Sequence, residues 1–243
     1  MKYWKRNSMS DRRYNILSTT SLPFERINHI PDSINISVIP FIKIVPRTEE
    51  KIKTQINDFT AEKIDVIFTS VHAVKTVKEF SLHEPDWRIY CIGKETRSEV
   101  ENWIGRDAID GSADNAKALS GIIIAGNVNN AVFFCGDQRM STLPEILNNQ
   151  GIKLTELIVY DTLATPVKIQ YLPDAILFFS PTAVKSFFSL NELSAETTVF
   201  AMGTTTNAVL KQFTGSPVIV SPVADKAFVF NMAVEYAASH PIL

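Results

Sequence analysis

The chain has 243 residues, 45% of them hydrophobic and 21% charged, with 24 Lys and Arg against 26 Asp and Glu and a net charge of −2. This is the composition of a folded globular protein long enough for two modest domains. It excludes a nucleic-acid binder that works by bulk charge, since the basic residues form no stripe, and no run approaches the ~18 apolar residues of a membrane span.

Met1–Met9 is basic without the apolar centre of a signal peptide, and reads as a disordered extension with Met9 a second candidate start. Tyr14–Leu17 predicts a short strand, Ser18-Thr19-Thr20-Ser21 a polar turn, and Phe24–Ile30 a short helix stopped by Pro31. Ile34–Val45 is a long β-branched run broken by Pro40, which belongs on a sheet edge or between domains. Thr48–Asn57 is helical, with Ile52 and Ile56 on one face. Strand Val66–Phe68, helix Ala73–Phe80, strand Ile89–Ile92 and helix Thr96–Trp103 follow. Ser112 is placed as the cap of a helix through Leu119 towards Ile124. Strand Ala131–Cys135 leads through Gly136 to a helix at Leu143–Leu147, stopped by Gly151, and then to the extended run Leu157–Leu163. Strand Ala175–Phe179, strand Val218–Val220 and a helix over Ala224–Ala238 complete the chain.

One unit occurs twice. Phe68-Thr69-Ser70-Val71-His72-Ala73-Val74-Lys75 returns as Phe178-Phe179-Ser180-Pro181-Thr182-Ala183-Val184-Lys185, and Ile92-Gly93-Lys94-Glu95-Thr96 as Met202-Gly203-Thr204-Thr205-Thr206. Both pairs share one offset of 110 residues, 178 − 68 and 203 − 93, and Gly105 and Gly215 keep it. Continuous apolar strands alternating with helices predict an α/β fold of two similar parallel-sheet domains, each sheet covered on both faces. The second repeat lacks a leading strand, and residues 14–38 have no sheet of their own. Domain one is therefore 1–38 plus 164–243, and domain two is 45–156. The crossings at 39–44 and 157–163 run oppositely and are expected to pair as a two-stranded antiparallel linker beside a cleft.

In such sheets ligands sit at the carboxyl ends of the strands, where helix N-termini point. The turns at that address are Ser18-Thr19-Thr20, Thr69-Ser70-Val71, Gly93–Thr96, Gly136-Asp137-Gln138-Arg139, Ser180-Pro181-Thr182 and Gly203–Thr206. Their amides and hydroxyls suit carboxylate or phosphate groups, although Ser and Thr also serve as plain helix caps. His72 could face the cleft but has Thr182 as its counterpart, and the acidic pair Asp161 and Glu156 reads as solvated. Tyr160 could reach the cleft from the second crossing or pack in the core. No phosphate loop, dinucleotide fingerprint or nucleophile elbow is present, and the four histidines show no metal spacing. Cys91 and Cys135 lie in apolar runs and read as buried thiols of a reducing compartment, with a disulfide between them as the other reading.

These motifs together resemble uroporphyrinogen-III synthase. The resemblance rests on F-T-S-x-x-A-V with a later F-x-S-P-x-A-V, and on I-G-x-x-T repeated as M-G-x-x-T. To these it adds Gly136…Leu143…Leu147…Gly151 ahead of Val159-Tyr160-Asp161-Thr162, all in the family's order over about residues 14–238. It implies two α/β domains joined by a two-stranded ladder, and a linear tetrapyrrole substrate, hydroxymethylbilane, bearing eight carboxylates. It implies a cofactor-free cyclisation to uroporphyrinogen III, with inversion of ring D through a spiro intermediate and loss of water. By motif position Thr96, Thr206 and Tyr160 match the family's cleft threonines and tyrosine, and Ser70, Val71, Ser180 and Pro181 its turns. Tyr160 is then the group that assists departure of the hydroxyl, with Thr19, Gly93, Gly136, Arg139, Thr182 and Gly203 completing the substrate contacts. Thr20 stands where the family often carries Arg, and so does Asp161, so cationic contacts are missing for which Arg139 would compensate. A monomer in the cytoplasm, without metal, is the accompanying expectation. A non-catalytic module for an anionic ligand on the same fold is the alternative; a hinged solute-binding protein is a weaker third.

Overall fold

The computed structural model describes residues 12–22 and 29–240. In chain order the elements are β1 (Tyr14–Ser18), β2 (Ile34–Val38), β3 (Ile42–Pro46), α1 (Glu50–Thr60), β4 (Asp65–Phe68), α2 (Val71–Phe80), β5 (Arg88–Ile92) and α3 (Lys94–Trp103). Next come β6 (Ile109–Ala113), α4 (Ala116–Ala125), β7 (Asn130–Gly136), α5 (Thr142–Asn149) and β8 (Lys153–Ala164). The last are β9 (Ala175–Phe178), α6 (Pro181–Phe188), β10 (Thr198–Ala201), α7 (Thr204–Leu210), β11 (Val218–Val220) and α8 (Lys226–Ser239). The chain divides into two compact units, Met1–Lys43 with Ala164–Leu243, and Ile44–Leu163. The helix expected over Phe24–Ile30 falls largely outside the described residues, as does the N-terminal extension. Among the described residues no helix is long and apolar enough to cross a membrane.

The discontinuous unit is built on a five-stranded sheet in the order β11-β10-β9-β1-β2, every neighbouring pair parallel. Strand period sets its two cores. Ile16, Ala175, Leu177 and Phe200 face α8, where Val229, Phe230, Ala233 and Val234 cover them. Leu17, Ile176, Phe178 and Val199 face the opposite way, onto Ala183, Val184 and Phe187 of α6. Both sides of the strands are dry, which is why they read as unbroken apolar runs instead of alternating ones.

The continuous unit has six strands in the order β3-β8-β7-β4-β5-β6. From β8 to β6 each pair is parallel. Val66, Phe68, Val132, Phe134, Leu157 and Val159 share a core with Ile56 of α1, Val74 and Val77 of α2, and Val100 of α3. On the reverse face Ile67, Phe133 and Cys135 meet Leu119 and Ile123 of α4 and Leu143 and Leu147 of α5. The run containing Pro40 becomes two edge strands, β2 in one sheet and β3 in the other. The repeat persists in the elements: β4 and β9, like α2 and α6, start 110 residues apart.

Ser112 is not a helix cap. It lies in β6, an edge strand whose register with β5 shifts between Ile89 and Tyr90. The cap of α4 is Asn115, whose extended backbone turns its side chain to accept from the Ala118 N–H at 3.0 Å. Cys91 and Cys135 are buried free thiols in β5 and β7.

Candidate functional site

In the continuous unit, β4 and β7 end beside the middle of β8, and the three bring polar groups to one place. β4 ends at Phe68, and Ser70 follows in an extended conformation as the N-cap of α2. Its Oγ accepts from the His72 N–H at 3.2 Å and from the Tyr160 hydroxyl at 3.0 Å. The His72 ring meets the Tyr160 ring edge-on, 5.9 Å between centroids. Val71 opens α2 beside them.

Tyr160 reaches that position because β8 carries an irregularity. Cys135 pairs with Ile158, but Gly136 pairs with Tyr160, so Val159 is an extra residue in the ladder. Strict alternation would leave Tyr160 on the Ile158 side of the sheet. The bulge turns it instead onto the side of Leu157 and Val159, the face covered by α2. Its ring then lies against the Gly136 backbone. A Cβ placed on Gly136 would fall 2.4 Å from Tyr160 Cζ and 2.7 Å from its hydroxyl oxygen. Gly136 is a seat for that ring. Tyr160 is 9% exposed. Burial raises its phenol above the ordinary value, as do Cys135 and Asp137, while the hydrogen bond to Ser70 works in the lowering direction. The group is therefore a protonated donor at neutral pH.

Charges at this rim are internally paired. Arg47, just past β3, holds Asp161 with Nη2 at 2.7 Å from Oδ1. Arg139 pairs with Glu156. Two expectations change accordingly: Asp161 and Glu156 are not simply solvated, and Arg139 already has a carboxylate, so it is not an open cation. Asp137 fastens the turn by accepting the Thr162 N–H at 2.8 Å.

The duplicated Gly/Thr turns sit at equivalent places in the two units. Gly93 (φ 85°, ψ 151°) and Gly203 (φ 98°, ψ 173°) occupy a backbone region open essentially to glycine alone, and begin α3 and α7. Neither glycine offers a side-chain cap to the helix that it begins. Thr96 is 4% exposed and Thr206 2%. Among the described residues neither hydroxyl has a hydrogen-bond partner.

In the discontinuous unit Ser180 caps α6 by accepting the Ala183 N–H at 3.2 Å, with Pro181 and Thr182 in the first turn. Thr19 departs from expectation. It is fully buried, and its hydroxyl donates to the Leu177 carbonyl at 2.7 Å, so it ties β1 to β9 instead of facing a ligand.

Arg47 and the bulge at Val159 were not identified from sequence as parts of the site, and His72 was not among the expected substrate contacts. Arg47 was discoverable: once 39–44 and 157–163 are set side by side, it falls opposite the residues around Asp161. Among the described residues no group of three or more His, Cys, Asp or Glu side chains could hold a metal ion.

The chain is similar to known proteins in sequence and in fold. A uroporphyrinogen-III synthase from Chlorobaculum parvum is 25% identical over 161 residues, 60% of this chain and 65% of the relative's length. The chain thus spans just under two thirds of that relative. The crystal structure of uroporphyrinogen-III synthetase from Helicobacter pylori 26695 superposes with a TM-score of 0.64 at 16% identity, covering 92% of this chain and 99% of that one. A mutant uroporphyrinogen III synthase from the extremely thermophilic bacterium Thermus thermophilus gives 0.62 at 11% identity over 93% and 100%. At these identities the structures speak to the fold alone. The family model described as uroporphyrinogen-III synthase HemD matches residues 32–228, a stretch that holds both repeats, the Gly136 seat and Tyr160. With most of its length matched in this way, the chain belongs to the uroporphyrinogen-III synthase HemD family.

Proposed function

We propose that this chain converts hydroxymethylbilane to uroporphyrinogen III, cyclising the linear tetrapyrrole with inversion of ring D and loss of one water, without a cofactor. The observation that carries the reading is the buried, protonated Tyr160, held at the bulge of β8 in a chain of this family. A hydrogen bond from its phenol to the departing hydroxyl stabilises the oxygen as the carbon–oxygen bond breaks. Proton donation need not be complete, since a group with an ordinary pKa of ~10 acts best here as a strong donor. The linear substrate can close unaided to the wrong isomer, so the protein's main contribution is orientation.

The eight carboxylates of the substrate are met by neutral donors. The Thr96 and Thr206 hydroxyls provide such donors, one in each unit, and Ser180, Pro181 and Thr182 add a helix start. A protein of net charge −2 gains local affinity for anions this way without a basic field. We infer a monomer acting in the cytoplasm, with the free thiols Cys91 and Cys135 supporting a reducing compartment.

The test incubates hydroxymethylbilane with the protein and resolves the oxidised porphyrin isomers. Type III product well above the spontaneous background is expected. Type I alone, formed at the uncatalysed rate, leaves only a non-catalytic binding module.

A further inference from the structure

We propose that Gly136 and Ser70 are positioning residues whose shared task is to aim the Tyr160 phenol; this rests on the reading of Tyr160 given above. Three features converge on one ring. The extra residue at Val159 turns Tyr160 onto the α2 side of the sheet. Gly136, opposite it in the ladder, has no side chain, and the ring occupies the space where a Cβ would stand, 2.4 Å from Cζ and 2.5 Å from Cε2. Ser70 then fixes the oxygen at 3.0 Å.

Ser70 is suited to this by its own anchoring. Its Oγ takes the His72 N–H of α2, so it cannot rotate away without uncapping that helix. A hydroxyl both accepts and donates. At rest Ser70 Oγ accepts a hydrogen bond from the phenol O–H. When the phenol turns that proton towards a leaving hydroxyl, the Ser70 O–H is able to donate to the phenol oxygen, and the His72 N–H stays bound throughout. The phenol thus exchanges one hydrogen bond for another without an unpaired buried oxygen in between, which a Ser70→Ala chain could not achieve. Among the described residues the counterpart Ser180 makes the cap and no bond to a phenol, so this use of the serine belongs to one copy of the repeat.

The experiment combines kinetics with a probe of the ring itself. Protein is labelled with 3-fluorotyrosine, and the Tyr160 fluorine signal is assigned by its loss in Tyr160→Phe. Gly136→Ala and Ser70→Ala are expected to shift that signal, and Ser70→Thr to restore it. With hydroxymethylbilane, kcat should fall roughly 10- to 100-fold in Tyr160→Phe, the range expected for one strong hydrogen bond. Gly136→Ala should lose most of that factor. The double variant Gly136→Ala with Tyr160→Phe should be no more than about twofold worse than Tyr160→Phe, because the two act on one group. An unmoved fluorine signal in both Gly136→Ala and Ser70→Ala overturns the proposal, and so do losses that multiply. If Gly136→Ala does not fold, Ser70→Ala and Ser70→Thr are read in the same way, alone and combined with Tyr160→Phe. A wild-type protein that makes no type III product defeats the activity, while the fluorine signals still decide whether the seat exists.

Discussion

Arg47 grips Asp161 with two guanidinium nitrogens: Nη2 lies 2.7 Å from Oδ1, and Nε 3.1 Å from each carboxylate oxygen. The pair neutralises an acid one residue from Tyr160, at a rim proposed to receive a polyanion. Being about a third exposed, it adds little to stability, roughly 1 kcal/mol at most. Arg47→Gln should leave Asp161 repelling the substrate and raise KM by roughly fivefold at low salt, less at high salt. Asp161→Asn should not raise it. Steady-state kinetics at two ionic strengths decide the matter, and an unchanged KM for Arg47→Gln refutes the role.

The two helix-starting glycines should be costly to replace although space surrounds them. No atom lies within 4 Å of a Cβ built on Gly93 or Gly203, yet both have φ near +90° with extended ψ. Gly93→Ala and Gly203→Ala should each cost about 1–3 kcal/mol in denaturant unfolding. Gly121, in the interior of α4 with equally open space, is the control, and Gly121→Ala should stabilise by about 0.5–1 kcal/mol.

The thiols should be silent in the native state. Burial pushes Cys91 up to about 11 and Cys135 up to about 12. At pH 8 a thiol reagent should modify neither until the protein is unfolded. The folded state holds these protons more tightly than the unfolded chain, so the contribution to stability is complete below the ordinary thiol value. It erodes as pH climbs towards 11–12. Melting curves across that range should fall in the wild type and fall less in Cys91→Ala.

Removing the Thr96 and Thr206 hydroxyls should separate binding from folding. Neither makes a hydrogen bond among the described residues, so Thr96→Val with Thr206→Val should change stability by no more than about 1 kcal/mol. Substrate use should nevertheless drop. Full activity in the double variant would remove both from the proposed contacts.

Thr19 should behave the opposite way. Its hydroxyl bonds the Leu177 carbonyl inside the core, so Thr19→Val should lower stability by about 1 kcal/mol and leave KM as it was. A raised KM with unchanged melting would return Thr19 to the binding residues.

Much of the architecture was readable because burial on both faces leaves an unmistakable trace: Ala175–Phe178 and Ala131–Cys135 are apolar without interruption, and the 110-residue offset fixed the equivalence of β9 with β4. β6 was not readable, since Ile109-Asp110-Gly111-Ser112-Ala113 is a half-exposed edge with little β propensity that takes its place by pairing with β5. The site divided in a similar way. Gly93, Gly203, Ser70 and Ser180 occupy the turns that their motifs indicated. The purpose of Gly136 was hidden, because a bulge inserts one residue without any mark in composition, and only the resulting pairing with Tyr160 reveals what the glycine accommodates. Thr19 misled for a related reason: a threonine at a strand end looks the same whether its oxygen points outward or at a neighbouring carbonyl.

The position of β1 between β9 and β2 has a consequence during synthesis. The earliest-made strand of that sheet must wait beside its one available neighbour, β2, while more than a hundred further residues emerge, and those residues already constitute a full six-stranded partner unit. On the ribosome the middle of the chain is thus able to fold before its beginning can, leaving the apolar flank of Ile16 and Leu17 as the surface that nascent-chain chaperones would need to shield.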